Sequence, residues 1–181
     1  MYTTLYFERI EQMEQKQEQE EFDRFIEFWG SMGVLWGINR SMARIHAFML
    51  VSNDPVDLDT VAQRLNISRG NASMCLKELR NWGVIQRVHI SGDRRDFYVA
   101  EADAGKMFFR IAQERKKREF DPTLNALRHL LSETNTEKTP KVHQRLTEME
   151  SILSSAERIM DKFLADEKKI KTMLGFLKTL M

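Results

Sequence analysis

Cysteine is almost missing from this chain: Cys75 stands alone among 181 residues. No intrachain disulfide can form, and none of the spaced-cysteine patterns that hold zinc exists. A reducing compartment is the simplest reading, and a cytoplasmic location is expected. Proline and glycine are scarce too, at three and eight residues, which favours a helix-rich protein. No apolar run approaches the ~18 residues a membrane helix needs, so no membrane partner is expected. Residues 1–10 show no basic stretch followed by an apolar run, and no secretory signal is read there. A Gly-rich phosphate loop, a His-Glu-x-x-His pattern and a Gly-x-Ser-x-Gly elbow are all missing. His46, His89, His129 and His143 share no metal-ligand spacing. The expectation is therefore no enzyme, no catalytic residue, no metal and no cofactor.

What is present is enough chain for a core: 181 residues fit one ordinary domain, or a small domain with an oligomerisation element. Formal net charge is only +1, but it is unevenly spread. Between Glu8 and Glu27 there are eight acids and three bases; between Arg64 and Arg95 there are seven bases and two acids. A near-neutral protein with a local basic patch suits an anionic partner met by one face.

Periodicity organises the rest. Residues 8–23 are rich in Glu and Gln and read as a solvated helix or frayed arm. Phe22, Phe25, Ile26 and Trp29 then share one helical face, and Gly30, Gly33 and Gly37 are expected to bend or end that helix. Residues 41–51 form a helix with Met42, Ile45, Phe48 and Met49 inward, broken by Asn53-Asp54-Pro55. Asp57 caps a short helix carrying Leu58, Val61, Ala62 and Leu65. Asn66 and Ile67 turn tightly, and Ser68 caps a helix over 69–82 with Ala72, Cys75, Leu76 and Leu79 inward. Gly83 marks its end. Strands are expected at 84–90 and 96–100 around a Ser91-Gly92-Asp93 turn. A helix over 102–119 ends at Asp121-Pro122, and a second opens at Pro122. From 141 to 167, Val142, Leu146, Met149, Leu153, Ala156, Met160 and Phe163 repeat every seven residues, with Ile152 and Ile159 widening the stripe. Such a seam signals a coiled coil about 40 Å long.

Helix, short helix, tight turn, helix and two-stranded hairpin make a winged helix-turn-helix. A helix fills a DNA major groove, and a hairpin tip reaches phosphate or minor groove. Helical phase places Gly70, Asn71, Ser73, Met74 and Lys77 outward, with Ser68 and Arg69 at the helix start. Asn71 suits a bidentate pair with adenine and Arg69 a guanine or a phosphate. Ser73 donates to either, Met74 meets a thymine methyl, and Lys77 grips phosphate. Gly70 allows close backbone approach, and the helix N-terminus favours phosphate. Arg94 and Arg95 at the hairpin tip are expected on phosphate or minor groove.

Residues 22–100 resemble the GbsR branch of the MarR-type regulators. The stretches that carry the resemblance are Trp36-Gly37-Ile38-Asn39-Arg40-Ser41, the turn and helix start at 65–73, Leu79 to Ile85, and the wing at 92–98. The resemblance implies sequence-specific operator binding, dimerisation through helices outside the winged core, and control by a small molecule. Some relatives respond to quaternary-amine osmoprotectant precursors such as choline, a property with no named residues here.

The expected fold is mainly α: a winged helix-turn-helix with a small β-hairpin wing, plus N- and C-terminal helices forming a dimerisation region. The expected divisions are an arm at 1–39, the winged module at 40–101 and a dimerising region at 102–181. The expected function is a homodimeric regulator of double-stranded DNA, of repressing type; the alternative is a winged helix that docks a protein. Trp29 and Trp36, with Phe25 and Phe28, are candidates for an effector cage, the alternative being burial of the N-terminal helix. Cys75 lies inward, where a thiol is inert. The basic run 115–118 reads as a solvated face.

Overall fold

The computed structural model describes residues 2–165, with side chains from Met13 onward. The chain divides into two compact units, Met1–Ala102 and Asp103–Met181.

In the first unit, helix α1 spans Tyr2–Leu35 and α2 spans Arg40–Val51; β1 (Val56–Asp57) leads into α3 (Leu58–Leu65) and α4 (Arg69–Asn81), and β2 (Ile85–Val88) and β3 (Phe97–Ala100) close the unit. The sheet order is β1-β3-β2, all antiparallel. β2 and β3 are the expected wing, paired over a shorter length than the β-branched run suggested: Val88 opposite Phe97 and Ile85 opposite Ala100. β1 was not foreseen. It has two residues, Val56 opposite Tyr98 and Asp57 opposite Phe97, too few to show a period-two alternation.

Three helices stop by one device. After α1 the Ile38 amide bonds the Gly33 carbonyl at 2.8 Å and the Gly37 amide the Val34 carbonyl at 2.9 Å. After α3 Ile67 reaches Ala62 at 3.0 Å and Asn66 reaches Gln63 at 3.3 Å. After α4 Val84 reaches Leu79 at 3.2 Å and Gly83 reaches Arg80 at 2.9 Å. These are Schellman closures, and their hinge residues Gly37, Asn66 and Gly83 all have positive φ. The N-termini of α2, α3 and α4 are capped by the Asn39, Asp57 and Ser68 side chains, which accept from the amides of Met42, Thr60 and Asn71.

Gly30 and Gly33 do not end α1, which continues through them to Leu35. Their role is in packing. A Cβ at Gly33 would lie 2.5 Å from the Ala43 Cβ, and one at Gly30 would lie 2.6 Å from the Arg44 Cγ. The missing side chains let α1 and α2 cross at near-backbone distance. The core gathers around α2: Ile26 from α1, Ile45 and Ala47 from α2, Val61 from α3, Ala72 and Leu76 from α4, and Val84 and Ile85 at the wing are all buried. Each fully buried Val, Ile or Leu contributes about 1.5–3 kcal/mol.

The second unit is a helical hairpin. α5 (Ala104–Arg115) begins at the Asp103 cap, continues through a π-helical turn (Lys116–Phe120), and becomes α6 (Asp121–Glu133). The break expected at Asp121-Pro122 is absent. Pro122 lies in the first turn of α6, and the wider π-turn before it provides room for a ring that clashes with the carbonyl four residues back in an α-helix. α7 (Pro140–Leu164) returns antiparallel. Arg128 bonds Glu150 at 3.1 Å and Glu157 at 3.0 Å, Lys116 bonds Asp161 at 3.0 Å, and Gln113 donates to the Leu164 carbonyl at 3.4 Å. The last two residues of the expected 141–167 helix, and everything after them, lie outside the described residues.

The seven-residue seam splits between two environments. Leu146 is buried in the hairpin, with Leu153, Ala156 and Met160 half-buried. Val142, Met149, Ile152, Ile159 and Phe163 stay exposed, Ile152 at 69% and Ile159 at 68%. Among the described residues no helix is long and apolar enough to cross a membrane.

Candidate nucleic-acid interface

α4 rests on α2 and α3 through Ala72, Cys75, Leu76 and Leu79. Its opposite face carries Arg69, Gly70, Ser73, Met74, Lys77 and Arg80, all exposed. A Cβ added at Gly70 would meet nothing within 4 Å, so that turn is open to solvent. Ser68 is exposed as well, but its hydroxyl is engaged at 3.2 Å by the Asn71 amide.

Asn71 departs from its expected place. Its Nδ2 donates to Ser41 Oγ at 3.2 Å and its Oδ1 accepts from Cys75 Sγ at 3.4 Å. The side chain is half-buried and its carboxamide is turned toward α2, away from the outer face. The cause is phase: Asn71 lies one position before Ala72 and four before Cys75, at the edge of the buried stripe. A short amide there finds protein partners. Cys75 is buried, which pushes its thiol pKa up, with the Glu78 charge adding to the effect.

Arg69 is exposed and held by a carboxylate from the preceding helix: its Nε lies 3.0 Å from Asp59 Oδ1. Lys77, Arg80 and Arg94 have no ion-pair partner among the described residues.

The wing is tied by a different cluster. Arg95 bonds Asp93 through Nε at 3.1 Å and Nη2 at 2.6 Å, and bonds Asp57 through Nη1. Its guanidinium also lies 5.0 Å from the Phe97 ring centre. Asp93 accepts the Arg95 amide at 2.9 Å, which folds the turn around Gly92, φ +86°. The Arg95 side chain and these amides hold the Asp93 carboxyl down to about 2. Burial pushes the Asp57 carboxyl up, but the Thr60 cap bonds and Arg95 outweigh it, and its pKa is lowered. Arg95 is thus anchored to the wing base rather than free at a tip. Three of its five N–H groups meet carboxylates and two remain. Beside it, Arg87 pairs with Asp96. Arg87, His89, Arg94 and Arg95 line an open cleft of about 430 Å³ with Val88 and Asp96.

The acidic stretch is partly committed to this unit. Asp23 meets Arg64 at 2.5 Å, and Glu27 meets Arg40 and Arg44, each at 2.8 Å. The Arg40 bond leads in lowering the Glu27 pKa. In the second unit Arg115, Lys116 and Arg118 are paired with Glu119, Asp121 and Glu114.

Two of the effector candidates, Phe25 and Trp29, meet, and Phe25 and Phe28 border one open cleft with Glu21 and Arg24. Trp29 stacks at 5.9 Å on Phe25 and lies 6.1 Å from the His46 ring. Trp36 sits at the exposed end of α1, with no ring pair among the described residues. Sequence reading missed Asp57 and Asp59 as partners of arginines; the available signal was an acid in the first turn of the helix before the recognition helix.

No family model matches the chain. The HTH-type transcriptional repressor GbsR of Bacillus subtilis (strain 168) is 28% identical over 93 residues, 51% of this chain and 51% of that protein. The chain thus spans about half the length of the curated relative it matches. A crystal structure of a transcriptional regulator overlays with a TM-score of 0.60 at 22% identity, covering 80% of this chain and 96% of that one. Staphylococcus aureus MepR in its DNA-binding conformation is 19% identical with a TM-score of 0.36, over 84% of this chain and 98% of that one. The chain carries a winged helix-turn-helix fold, and 93 of its residues are similar to the GbsR repressor.

Proposed function

We propose that the protein is a homodimeric, sequence-specific regulator of transcription that represses by occupying double-stranded DNA in the cytoplasm. The observation that carries this reading is the outer face of α4. Arg69, Ser73, Met74 and Lys77 are exposed there on a helix whose other face is core. That is the arrangement needed to put donors, a methyl-contacting thioether and cations on base edges and phosphates. The wing adds Arg94 and the cleft beside it.

Dimerisation is supported by the exposed apolar stripe of α7, since Val142, Met149, Ile152, Ile159 and Phe163 share one flank of the helix, beside the line of Leu146, Leu153 and Met160 that the hairpin covers. A second copy of the same stripe is its natural cover. Control by a small molecule follows from the family resemblance; no residue is assigned to it.

The deciding experiment is selection of duplexes from a random library by the purified protein, followed by affinity at several salt concentrations. A regulator enriches a pseudo-palindrome and loses affinity steeply with salt, because bound phosphates release counterions. A winged helix that docks proteins would enrich no sequence and show little salt dependence.

A further inference from the structure

Arg69 opens the recognition helix, beside the Ser68 cap and at the positive end of the helix dipole. An unrestrained arginine there would grip any phosphate. It is not unrestrained: Asp59, in the first turn of α3, takes its Nε at 3.0 Å. Nε is the inner corner of the guanidinium. With it occupied, the two terminal nitrogens remain as a planar fork, the geometry that matches the O6 and N7 of guanine.

We propose that Asp59 is a positioning residue for base readout: it presents the Arg69 fork to a guanine and repels phosphate from the same guanidinium. The inference rests on the DNA-binding reading above. Two further observations support it. Both side chains are exposed, at 57% and 69%, so the pair lies where DNA would meet it, and a pair so exposed adds little to stability. The other carboxylates on this side have structural work: Asp57 caps α3, Asp93 folds the wing turn, and Asp96 pairs Arg87 beside β3. Asp59 bonds only Arg69 among the described residues, so removing its charge isolates the effect.

The test uses the full-length protein and two probes: a duplex selected by the wild type from a random library, with all its single-base variants, and a scrambled duplex of the same composition. Asp59→Asn should bind the scrambled duplex roughly 3- to 10-fold more tightly, because a repelling charge is gone. It should lose roughly 10-fold of preference for guanine at one position of each half-site. Arg69→Ala should lose the same preference, and the double variant should show the same base profile as Arg69→Ala. Arg69→Lys keeps Asp59 and the charge but has no fork. It should lose the guanine preference while scrambled-duplex affinity holds, a readout that stands even if Asp59→Asn melts early. Equal shifts on selected and scrambled duplexes for Asp59→Asn, or a guanine preference intact in Arg69→Lys, would overturn the proposal and leave the DNA reading standing. Failure of the wild type to bind any duplex would overturn both.

Discussion

Asn71 in the recognition helix donates to Ser41 at the start of α2 across 3.2 Å. The first turn of α4 is therefore fastened to the helix beneath it by a side chain whose residue type suggests a base reader.

Asn71→Ala should weaken binding by one factor on every single-base variant of the selected duplex. It should also lower folding stability by about 1 kcal/mol, the worth of one such bond. Ser41→Ala should reproduce part of the stability loss. Urea titration and a full base-variant profile check both. A loss confined to one base position would restore Asn71 as a reader.

Arg94 and Arg95 should separate on mutation. Arg94 is exposed and without an ion-pair partner among the described residues, so Arg94→Ala should lower the salt slope by about one unit and leave base preference intact. Arg95→Ala releases Asp57 and Asp93 from their shared cation. It should loosen the wing, with faster amide hydrogen exchange over 89–96 and little change in global stability.

His46 is buried against Trp29, with Nε2 unpartnered among the described residues, and burial depresses its pKa to about 4. The unfolded chain binds this proton near pH 6.5 and the folded chain only near 4. Between those values the unfolded state holds more protons, so stability falls as pH falls from about 6.5 to 4 and then levels off. The loss should be on the order of 3 kcal/mol. His46→Leu should flatten that part of the curve in denaturant titrations. An unchanged slope would mean another group is responsible.

Ile152 and Ile159 are exposed, so Ile152→Asp with Ile159→Asp should leave the hairpin helical by circular dichroism. The same double substitution should shift the solution mass from dimer to monomer in sedimentation equilibrium. Wild-type protein bound to its selected duplex should protect half-sites about 10 base pairs apart, centre to centre. A fully dimeric double variant would place the dimer contact elsewhere.

Most of the first unit was readable because its signals are local. A cap at Asp57 or Ser68, a hinge at Asn66 or Gly83 and a four-residue buried stripe each need only a few neighbours in sequence. What stayed hidden depends on distant partners. Gly33 reads as a helix breaker until Ala43 is seen against it, and β1 is invisible until Tyr98 pairs with Val56. Asn71 and Asp59 are surface polar residues by pattern; only contacts with Ser41 and Arg69 distinguish them. The α7 repeat predicted one seam, whereas the hairpin buries part of it and leaves the rest exposed, a division that depends on α6.

The π-turn at Lys116–Phe120 makes chain length in the hairpin a matter of phase. The turn holds about one residue more than an α-helix needs over the same arc. Deleting a single residue there would let an ordinary α-helix close through Asp121, against the Pro122 ring, while later side chains of α6 keep nearly their bearing. Deleting Thr123 instead has no such slack, because one residue of α-helix is about 100° of rotation. Leu124, now fully buried, would swing out of the core, and Arg128 would leave both Glu150 and Glu157. The arm should therefore reject a lost residue just beyond the π-turn more sharply than one lost within it.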